Sequence, residues 1–387
     1  MEPKSALNPE ALFATLADLV AINSVNPQYP DGAGEAALAD YVGQFFHKNS
    51  IPFEFQTVFE GRPNVIARLE GAPGGPTLVL EAHMDTASGL GMKRDPFRPL
   101  RTGQRMYGRG TCDTKGGLAA MMHALKLLAD VRPRRVATVV LVAAVDEEYS
   151  SRGVVKFLEK EIKAQGAVVA EPTSLDTVIA SKGVLRLRMR ALGRTAHSSK
   201  PHLGINAVAK MAKVVAAMEE KFGAIFEKRR HPVLGCPTIN VGLIRGGVQV
   251  NQVPDSCIIE VDRRLLPGET RESAIGELEG LIAELRLSDP ELEVKIDPPL
   301  LEDYPLETAP TERIVQTVSR ISQEAAGRCR LAGVPYGSDA SKLARAGIPS
   351  LILGPGNIDQ AHAADEFVEL DQVALAAEIY TRSILEF

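Results

Sequence analysis

Residues 139–150 read VVLVAAVDEEYS, an apolar run that ends abruptly in three adjacent carboxylates. A short continuous apolar run bounded in this way is typical of a strand buried on both faces. Asp146, Glu147 and Glu148 follow it, and the next Lys or Arg along the chain is Arg152. Neighbouring like charges repel, and a partly buried carboxylate strongly favours a counter-charge. The stretch therefore predicts a buried strand whose acidic end needs a source of positive charge.

Strand-like and helical patterns alternate on both sides of this run. Apolar residues at helical spacing predict helices over 8–24, 35–51, 118–130, 154–163, 312–326 and 371–386. Apolar runs predict strands over 63–71, 77–85, 136–145, 167–171 and 349–354. Asn8 and Pro9 suit the first two positions of the first helix. Strands that alternate with helices indicate an α/β domain around a mainly parallel sheet.

The middle of the chain has a different pattern. KGVLRLRMRALG (182–193) alternates apolar and charged residues, as a half-exposed antiparallel strand does. A helix over 206–222, strands over 238–247 and 255–268, a helix over 270–287 and a strand over 291–297 follow it. This β-α-β-β-α-β order matches a ferredoxin-like α+β unit. We therefore expect a catalytic domain formed by 1–181 and 298–387, with an inserted domain over 182–297.

Composition limits the classes of partner. The 387 residues include 44 basic and 49 acidic ones, a net charge of −5, which leaves no basic footprint for nucleic acid. The N-terminus lacks the basic and apolar regions of a secretory signal, and the apolar stretch 136–145 is too short to cross a bilayer as a helix. The four cysteines are widely spaced, which favours a reducing compartment. We expect a cytoplasmic protein without nucleic-acid or membrane partners.

Several potential metal ligands follow predicted strands or precede a predicted helix. They come from five separate segments and are His83, Asp85, Asp113, Glu147, Glu148, Glu171 and His362. The carboxyl ends of strands in an open α/β sheet share one edge, where ligand sites gather. Imidazole and carboxylate groups bind zinc, and also cobalt and manganese. Six ligand groups, drawn from these seven residues, suit two divalent ions bridged by a carboxylate. These ions are expected to neutralise the carboxylates that end the quoted stretch.

Each of these groups alone also has an ordinary structural interpretation. An acidic pair after a strand can begin a helix, whose positive end favours carboxylates, and Ser150 or Ser151 could cap that helix. Asp113 could be a helix cap, Glu171 a turn residue and His362 a loop histidine. Together these interpretations would have to place several metal-ligand types at one sheet edge by coincidence, so we favour the metal site.

Seven segments, in order along nearly the whole chain, carry a resemblance to a known family. They are EAHMDT (81–86), GRGTCDTKGG (108–117), VDEE (145–148), AEPTS (170–174), GRTAHSSKPHLGINA (193–207), VDRRLLPGET (261–270) and GPGNIDQAH (354–362). They resemble the M20 metallopeptidase family, and most closely its acetylornithine deacetylase and succinyl-diaminopimelate desuccinylase group. The GSDAS segment (337–341) departs from the deacetylases and is similar to desuccinylases and peptidases of the family.

The resemblance implies which residues bind the metal ions. It implies that His83 and Glu171 bind one ion and that Glu148 and His362 bind the second. It also implies that Asp113 bridges the two. Two divalent ions, Zn²⁺ or Co²⁺, are the cofactors that it implies.

The resemblance also implies three catalytic roles. Asp85 resembles the family's acid that orients His83 and tunes its basicity. Glu147, next to a ligand, resembles the general base that takes a proton from water and delivers it to the leaving amine. His197, in GRTAHSS, resembles a histidine that donates a hydrogen bond to the oxyanion, often across a dimer interface. In the structural alternative, Ser198 or Ser199 caps the next helix and the histidine is incidental.

Four more residues resemble substrate contacts of the family. Arg264, in VDRRLLPG, resembles an arginine that grips the substrate α-carboxylate, and Asn251 resembles a lid asparagine. Gly337 and Ser338 belong to the GSDAS loop, which faces the acyl or side-chain pocket in the family. Arg264 could also be a surface strand residue and Asn251 a turn residue.

The implied activity is hydrolysis of the amide bond of a small N-acyl amino acid. N-acetylornithine is the substrate that the resemblance favours, and desuccinylase or dipeptidase activity is the alternative. The family also implies a homodimer in which the inserted domain serves as lid and dimerisation surface.

Overall fold

The computed structural model describes residues 7–131 and 137–387, and the chain forms two structural units. The first unit comprises the chain up to Ile179, Thr308–Ala332 and Ser338–Phe387. The second comprises Ala180–Glu307 and Gly333–Gly337. The domain boundaries that the sequence places at 181/182 and 297/298 remain predictions. The quoted stretch lies wholly in the first unit.

The regular elements are numbered in chain order. The helices are α1 (Pro9–Ala21), α2 (Ala36–Lys48), α3 (Gly116–Val131), α4 (Arg152–Leu158), α5 (Ala207–Phe226), α6 (Arg271–Ser288), α7 (Arg313–Ala326), α8 (Ala340–Arg345) and α9 (Leu370–Glu386). The strands are β1 (Phe53–Phe59), β2 (Arg62–Leu69), β3 (Thr77–His83), β4 (Leu100–Thr102), β5 (Arg105–Tyr107), β6 (Thr138–Ala144), β7 (Gly166–Val169), β8 (Thr177–Ser181), β9 (Gly183–Leu192), β10 (Thr238–Gly246), β11 (Ser256–Leu265), β12 (Glu293–Ile296), β13 (Leu301–Asp303), β14 (Leu306–Glu307), β15 (Leu331–Val334), β16 (Ser350–Ile352) and β17 (Phe367–Glu369).

A mainly parallel sheet forms the centre of the first unit. Its strands follow the order β1-β2-β6-β3-β7-β16-β8. The inner strand β3 is parallel to both β6 and β7, and β16 is parallel to β7. The pairs β1–β2, β2–β6 and β8–β16 are antiparallel. The parallel order places the carboxyl ends of β3, β6, β7 and β16 at one edge, and it confirms the predicted α/β sheet.

The quoted stretch forms the buried strand that its apolar run predicts. β6 is buried at each of its seven residues, because it lies between β2 and β3 and its side chains enter the core. Leu118, Met121 and Leu125 of α3 belong to the same core, as does Tyr380 of α9. Burial on both faces explains why β6 shows a continuous apolar run and no alternation.

The sequence predicted the start of α1 correctly but not the end of α4. The Asn8 side chain accepts the Ala11 backbone N–H at 3.1 Å and a proline occupies the first turn of α1, as predicted. The helix predicted over 154–163 is wrong in its second half, because α4 ends at Leu158. The next residues form turns, and Glu161 has a φ of 50°, in the left-handed region.

The second unit contains the predicted ferredoxin-like arrangement. Its sheet has the order β10-β11-β9-β12, and the three pairings are antiparallel. Helix α5 connects β9 to β10, and α6 connects β11 to β12. Both helices share a hydrophobic core with β9 and β11. Residues alternate between buried and less buried along β9 and β11. The observed order confirms the β-α-β-β-α-β pattern.

Two further observations bear on location. Within residues 7–131 and 137–387, no helix has both the length and the apolar character that crossing a membrane requires. All four cysteines are free thiols. The cytoplasmic location inferred from the sequence remains a prediction.

His123 is a buried histidine outside the predicted site. It is 5% exposed on α3, and its Nε2 lies 2.8 Å from Thr15 Oγ1. Its ring is 5.5 Å from that of Phe45. Burial, with a smaller contribution from the charge of Lys126, lowers the pKa of His123 to about 4. Protonation of His123 therefore favours the unfolded chain, in which histidine has a pKa of about 6.5.

We expect His123 to make the fold sensitive to acid. Its neutral form supports the fold fully above pH about 6.5, and that support is lost as the pH falls toward about 4, a difference of about 3 kcal/mol in the free energy of unfolding. Urea unfolding at several pH values in this window should show a shallower pH dependence for His123→Gln than for the wild type. His47→Gln, at an exposed position of α2, is the control. Identical pH dependence in all three proteins would contradict the assignment.

Candidate metal centre

The predicted metal ligands come together at the carboxyl edge of the parallel sheet. His83 is the last residue of β3, and the other ligands lie in loops that follow β6, β7 and β16 or precede α3. Their potential ligand atoms form two groups, each with all members within 4.8 Å of one another. One group is His83, Glu147 and Glu171, and the other is Asp113, Glu148 and His362.

Asp113 lies between the two imidazoles. Its Oδ1 is 3.1 Å from His83 Nε2, and its Oδ2 is 3.4 Å from His362 Nε2. His362 Nε2 is also 3.1 Å from Glu148 Oε2, and His83 Nε2 is 3.8 Å from Glu171 Oε1. A carboxylate that turns one oxygen toward each group has the geometry that a bridging ligand needs.

The electrostatics of the centre fit divalent cations. Burial raises the pKa of Glu147 and of Glu171 well above the usual range. Hydrogen bonds with Asp113 and Glu148 raise the pKa of His362 to about 10. Glu171 Oε1 is buried and makes no hydrogen bond within the described residues. Two imidazole nitrogens with four carboxylates, one of which has an unpartnered oxygen, form a donor set that suits two divalent ions.

Asp85 uses its main chain and its carboxylate for different tasks. His83 Nδ1 is 2.8 Å from the Asp85 carbonyl oxygen but 3.7 Å from its carboxylate Oδ1. Donation from Nδ1 to the carbonyl leaves Nε2 free to face the other ligands. The carboxylate accepts the backbone N–H groups of Glu147 at 3.0 Å and Glu148 at 3.1 Å. The main chain of Asp85 therefore orients the imidazole, and its carboxylate fixes the acidic loop after β6.

Asp146, the first acid of the quoted stretch, belongs to neither ligand group. Its Oδ1 accepts from Asn26 Nδ2 at 3.0 Å and lies 3.3 Å from Arg62 Nη2. Arg62 also forms an ion pair with Glu35, which accepts the Asp146 backbone N–H at 3.1 Å. Arg62 lies on β2, beside β6 in the sheet. The expectation that metal ions neutralise all three acids is therefore corrected for Asp146, whose counter-charge is a guanidinium from the neighbouring strand.

Asn26 links the two parts of this network and was not singled out from the sequence. It is fully buried, and its Nδ2 donates to Asp85 Oδ2 at 2.8 Å as well as to Asp146. Neither Asn26 nor Arg62 lies near an acid partner in sequence. Their partners in this network lie 27 or more positions away along the chain, so local patterns carried no signal for them.

The capping alternatives for two predicted segments are not observed. Ser151 precedes α4, but its side chain makes no capping bond among the described residues. Ser150 Oγ donates to Asp146 Oδ2 at 2.5 Å. Helix α5 is capped by Asn206, which accepts the Ala209 N–H at 3.0 Å. The serines beside His197 therefore do not cap that helix.

Three predicted residues lie in the second unit. His197 is exposed, and its Nδ1 accepts the Ser199 backbone N–H at 3.2 Å. The Asn251 carbonyl accepts the backbone N–H of Ser198 at 3.0 Å, so these two loops are neighbours. Arg264 lies on the less buried face of β11 and donates from Nε to Asp262 Oδ1 at 2.7 Å.

The GSDAS loop crosses the division between the two units, with Gly337 in the second and Ser338 in the first. A Cβ at Gly337 would lie 2.4 Å from Asp303 Oδ2, so a larger residue would require the Asp303 side chain to move. Ser338 is fully buried. Its Oγ accepts the Ala340 N–H at 3.3 Å and its carbonyl accepts from Lys342 Nζ at 3.2 Å.

An open α/β sheet that gathers two imidazole and carboxylate groups at its carboxyl edge defines the class of metal-dependent hydrolases. The sequence profile of peptidase family M20/M25/M40 matches residues 79–386. The chain belongs to this family, and it is a metal-dependent amide hydrolase.

Similar sequences and structures extend over nearly the whole chain. An acetylornithine deacetylase from Vibrio campbellii is 29% identical, covering 97% of this chain and 97% of that protein. An acetylornithine deacetylase from Photorhabdus laumondii is 31% identical, covering 91% and 90%. The crystal structure of aminopeptidase PepT from Bacillus cereus has a TM-score of 0.81 at 23% identity, covering 98% and 99%. The Bacillus subtilis YXEP protein, a dinuclear metal binding peptidase from the M20 family, has a TM-score of 0.74 at 15% identity, covering 98% of each chain. These two structures share the fold.

We expect Arg62→Met to destabilise the first unit strongly. It would leave the carboxylates of Glu35 and Asp146, which are 0% and 2% exposed, without their counter-charge, and breaking a buried ion pair in this way costs about 3–5 kcal/mol. Urea unfolding would measure the loss. Arg68→Met is a matched control, because Arg68 lies on the same strand and pairs with the exposed Glu70, where about 0–1 kcal/mol is expected. Equal losses in the two variants would contradict the role of Arg62.

Proposed function

We propose that the protein hydrolyses the amide bond of an N-acyl amino acid and that its substrate is N-acetylornithine. The observation that carries the reaction class is the position of Asp113, whose two oxygens face the imidazoles of both ligand groups. The substrate is supported by the relatives named acetylornithine deacetylase, which are 28–31% identical over most of their length.

We propose that His83 and Glu171 bind one ion, Glu148 and His362 bind the second, and Asp113 binds both. The distances around Asp113 support this division. The nitrogen and oxygen donors favour Zn²⁺ or Co²⁺. When bound, such ions would lower the pKa of a water molecule and polarise an amide carbonyl.

Glu147 is the proposed general base. It shares a group with His83 and Glu171, so its carboxylate lies where the attacking water would be held. Its backbone is fixed through its N–H by Asp85. Burial raises the pKa of the Glu147 carboxyl, which strengthens it as a base. The same carboxyl can then deliver the proton to the leaving amine.

His197 is the proposed donor to the oxyanion that forms when water adds to the carbonyl. Because Nδ1 accepts the Ser199 N–H, the neutral ring carries its proton on Nε2. The exposed Nε2–H is therefore available to donate. A preorganised donor of this kind stabilises the charge that develops in the transition state.

We further propose a homodimer that forms through the second unit. In the described part of the chain, β10 pairs on one side only, with β11. Its Leu243 and Ile244 are 45% and 54% exposed, and Val248 and Val250 beyond it are almost fully exposed. An edge strand with exposed apolar side chains favours pairing with another chain, and a two-fold axis would bring the same strand of a second copy against it.

Arg264 and Asn251 remain proposed substrate contacts. The guanidinium of Arg264 is held by Asp262, which orients it. A guanidinium has five N–H donors, so Arg264 can keep this bond and still bind the substrate α-carboxylate.

A desuccinylase or dipeptidase is the second candidate. The GSDAS loop favours it, because this segment is similar to desuccinylases and peptidases, and Gly337 and Ser338 are the proposed contacts of the acyl or side-chain pocket.

The substrate is tested by amine release from N-acetylornithine, N-succinyl-diaminopimelate, other N-acetyl amino acids and a few dipeptides. Each would be measured with added Zn²⁺ or Co²⁺ and again after chelation. We expect metal-dependent release that is fastest from N-acetylornithine. Faster release from the succinylated substrate or a dipeptide would favour the second candidate, and release that survives chelation would contradict the metal-dependent reaction.

The Glu147→Gln variant supplies the catalytic control in the same assay. It keeps the size of the side chain and removes the proton acceptor, so we expect kcat to fall at least about 10²-fold while two metal ions remain bound. Retention of most activity would contradict the assignment of the base.

Mixed dimers test His197 and the dimer together. We expect His197→Ala to lower kcat by about 10²–10³-fold, with an unchanged melting temperature, and His202→Ala on the same segment to have no such effect.

If His197 serves the partner's metal centre, co-expressed His197→Ala and Glu147→Gln chains should regain about one quarter of wild-type activity. Half of the dimers would be mixed, and each mixed dimer has one intact site of two. Sedimentation would report the dimer. Mixed dimers without activity would place His197 in its own chain's reaction, and monomers would contradict the dimer.

A further inference from the structure

Glu366 is a buried acid that belongs to neither ligand group. It is 0% exposed and lies four residues after His362. Its Oε1 accepts the backbone N–H groups of Cys112 at 2.9 Å and Asp113 at 3.1 Å. One carboxylate oxygen therefore holds the main chain on which the bridging ligand stands.

The second oxygen of Glu366 holds the beginning of the same turn. Its Oε2 accepts the backbone N–H of Gly110 at 3.1 Å and a hydrogen bond from Arg109 Nη1 at 2.7 Å. Arg109 is itself buried, and its Nε donates to the Ser88 carbonyl at 3.0 Å. The guanidinium supplies the counter-charge that a buried carboxylate needs. It also holds the side chain of Glu366 in position.

The turn needs such a partner because its backbone is irregular. Asp113 has φ −123° and ψ 91°, outside helical values, so the N–H groups before α3 lack the regular bonds of a helix. Buried N–H groups require acceptors. The strand pair β5–β17 brings Glu366 to them, through Phe367 opposite Tyr107 and the Gly108 N–H bonded to the Glu366 carbonyl at 3.2 Å.

Asp85 provides a parallel in the loop after β6, where Glu147 belongs to one group and Glu148 to the other. It lies two residues after His83, and its carboxylate accepts the N–H groups of Glu147 and Glu148. In both cases an acid that follows a proposed ligand histidine accepts main-chain N–H groups of a segment that carries a proposed acidic ligand, Glu148 for Asp85 and Asp113 for Glu366.

We propose that Glu366, held by Arg109, is a positioning residue that sets the placement of Asp113 relative to His362 and thereby the affinity of their ligand group for its cation. The inference rests on the proposed metal ligands and is independent of the substrate. Outer partners of metal ligands typically change metal affinity by about 10–100-fold when they are replaced.

Glu366→Gln tests the proposal with little change of volume. The amide keeps one acceptor oxygen and turns an NH₂ group toward donors, so it loses at least one bond to the turn. Zn²⁺ affinity would be measured on the metal-free protein by competition with a coloured chelator. We expect the ion bound by Glu148 and His362 to bind about 10–100-fold more weakly. The ion bound by His83 and Glu171 should be weakened less, because it shares only Asp113 with that group.

Asp365→Asn is the matched control, because Asp365 is the neighbouring residue and forms a comparable pair with Arg94 at 3.0 Å on the surface. We expect its two Zn²⁺ affinities to equal those of the wild type. If Glu366→Gln fails to fold, Arg109→Lys provides a second test, because it keeps the charge but loses the fork that reaches both Glu366 and Ser88. It is expected to weaken the two ions in the same unequal way.

The proposal is overturned if a folded Glu366→Gln protein binds both ions as the wild type does. It is equally overturned if both affinities fall to the same extent and the melting temperature of the metal-free protein falls strongly, because that result would show that Glu366 stabilises the fold in general. A wild-type protein that binds two ions but hydrolyses no substrate contradicts the proposed function alone, since the affinities can still be compared.

Discussion

The crowding of carboxylates at the end of β6 is the constraint on which the rest of the centre depends. Acids at consecutive positions can be buried together only if each has its own compensation. Asp146 is compensated by the Arg62 guanidinium and the Asn26 amide. Glu148 accepts the Ala87 N–H at 2.8 Å and faces His362. Glu147 has a carboxyl whose pKa is raised by burial, which suits its proposed role as general base. Three adjacent residues thus acquire three different environments.

Side chains of the protein itself hold in place the loops that form the metal centre. Two acids that lie outside the two ligand groups accept main-chain N–H groups: Asp85 from the loop after β6, and Glu366 from the turn before α3. An ionised carboxylate forms stronger hydrogen bonds than a neutral acceptor does, so each such acid holds a loop firmly. The loops that carry the proposed ligands are therefore held by acids. Arg109 is the counter-charge of Glu366, and Arg62 pairs with Glu35 and Asp146 in the network that Asn26 links to Asp85.

The parts of this arrangement that could be predicted are those with a local cause. Continuous apolar runs predicted β3, β6 and β7. Because the carboxyl ends of parallel strands share one edge of a sheet, the sequence then predicted that His83, Glu148 and Glu171 lie near one another. Alternation of apolar and charged residues predicted a half-exposed antiparallel strand in the sheet of the second unit. Arg62 and Glu366 had no such signal, because Asp146 lies 84 positions from Arg62 and the turn that Glu366 holds lies at least 253 positions from it. Strands such as β5 and β17 have three residues each, too few to show a period, although β17 is what brings Glu366 to its turn.

The reaction class can be inferred from the sequence more readily than the substrate, because the two depend on different parts of the chain. The proposed metal ligands and Glu147 all lie in the first unit, on loops that a parallel sheet must bring to one edge. The proposed substrate contacts Arg264 and Asn251 lie in the second unit, and Gly337 and Ser338 lie where the chain passes between the units. If these residues bind the substrate as proposed, substitutions there would alter which acyl group or side chain is accepted, and none of the four belongs to the two ligand groups.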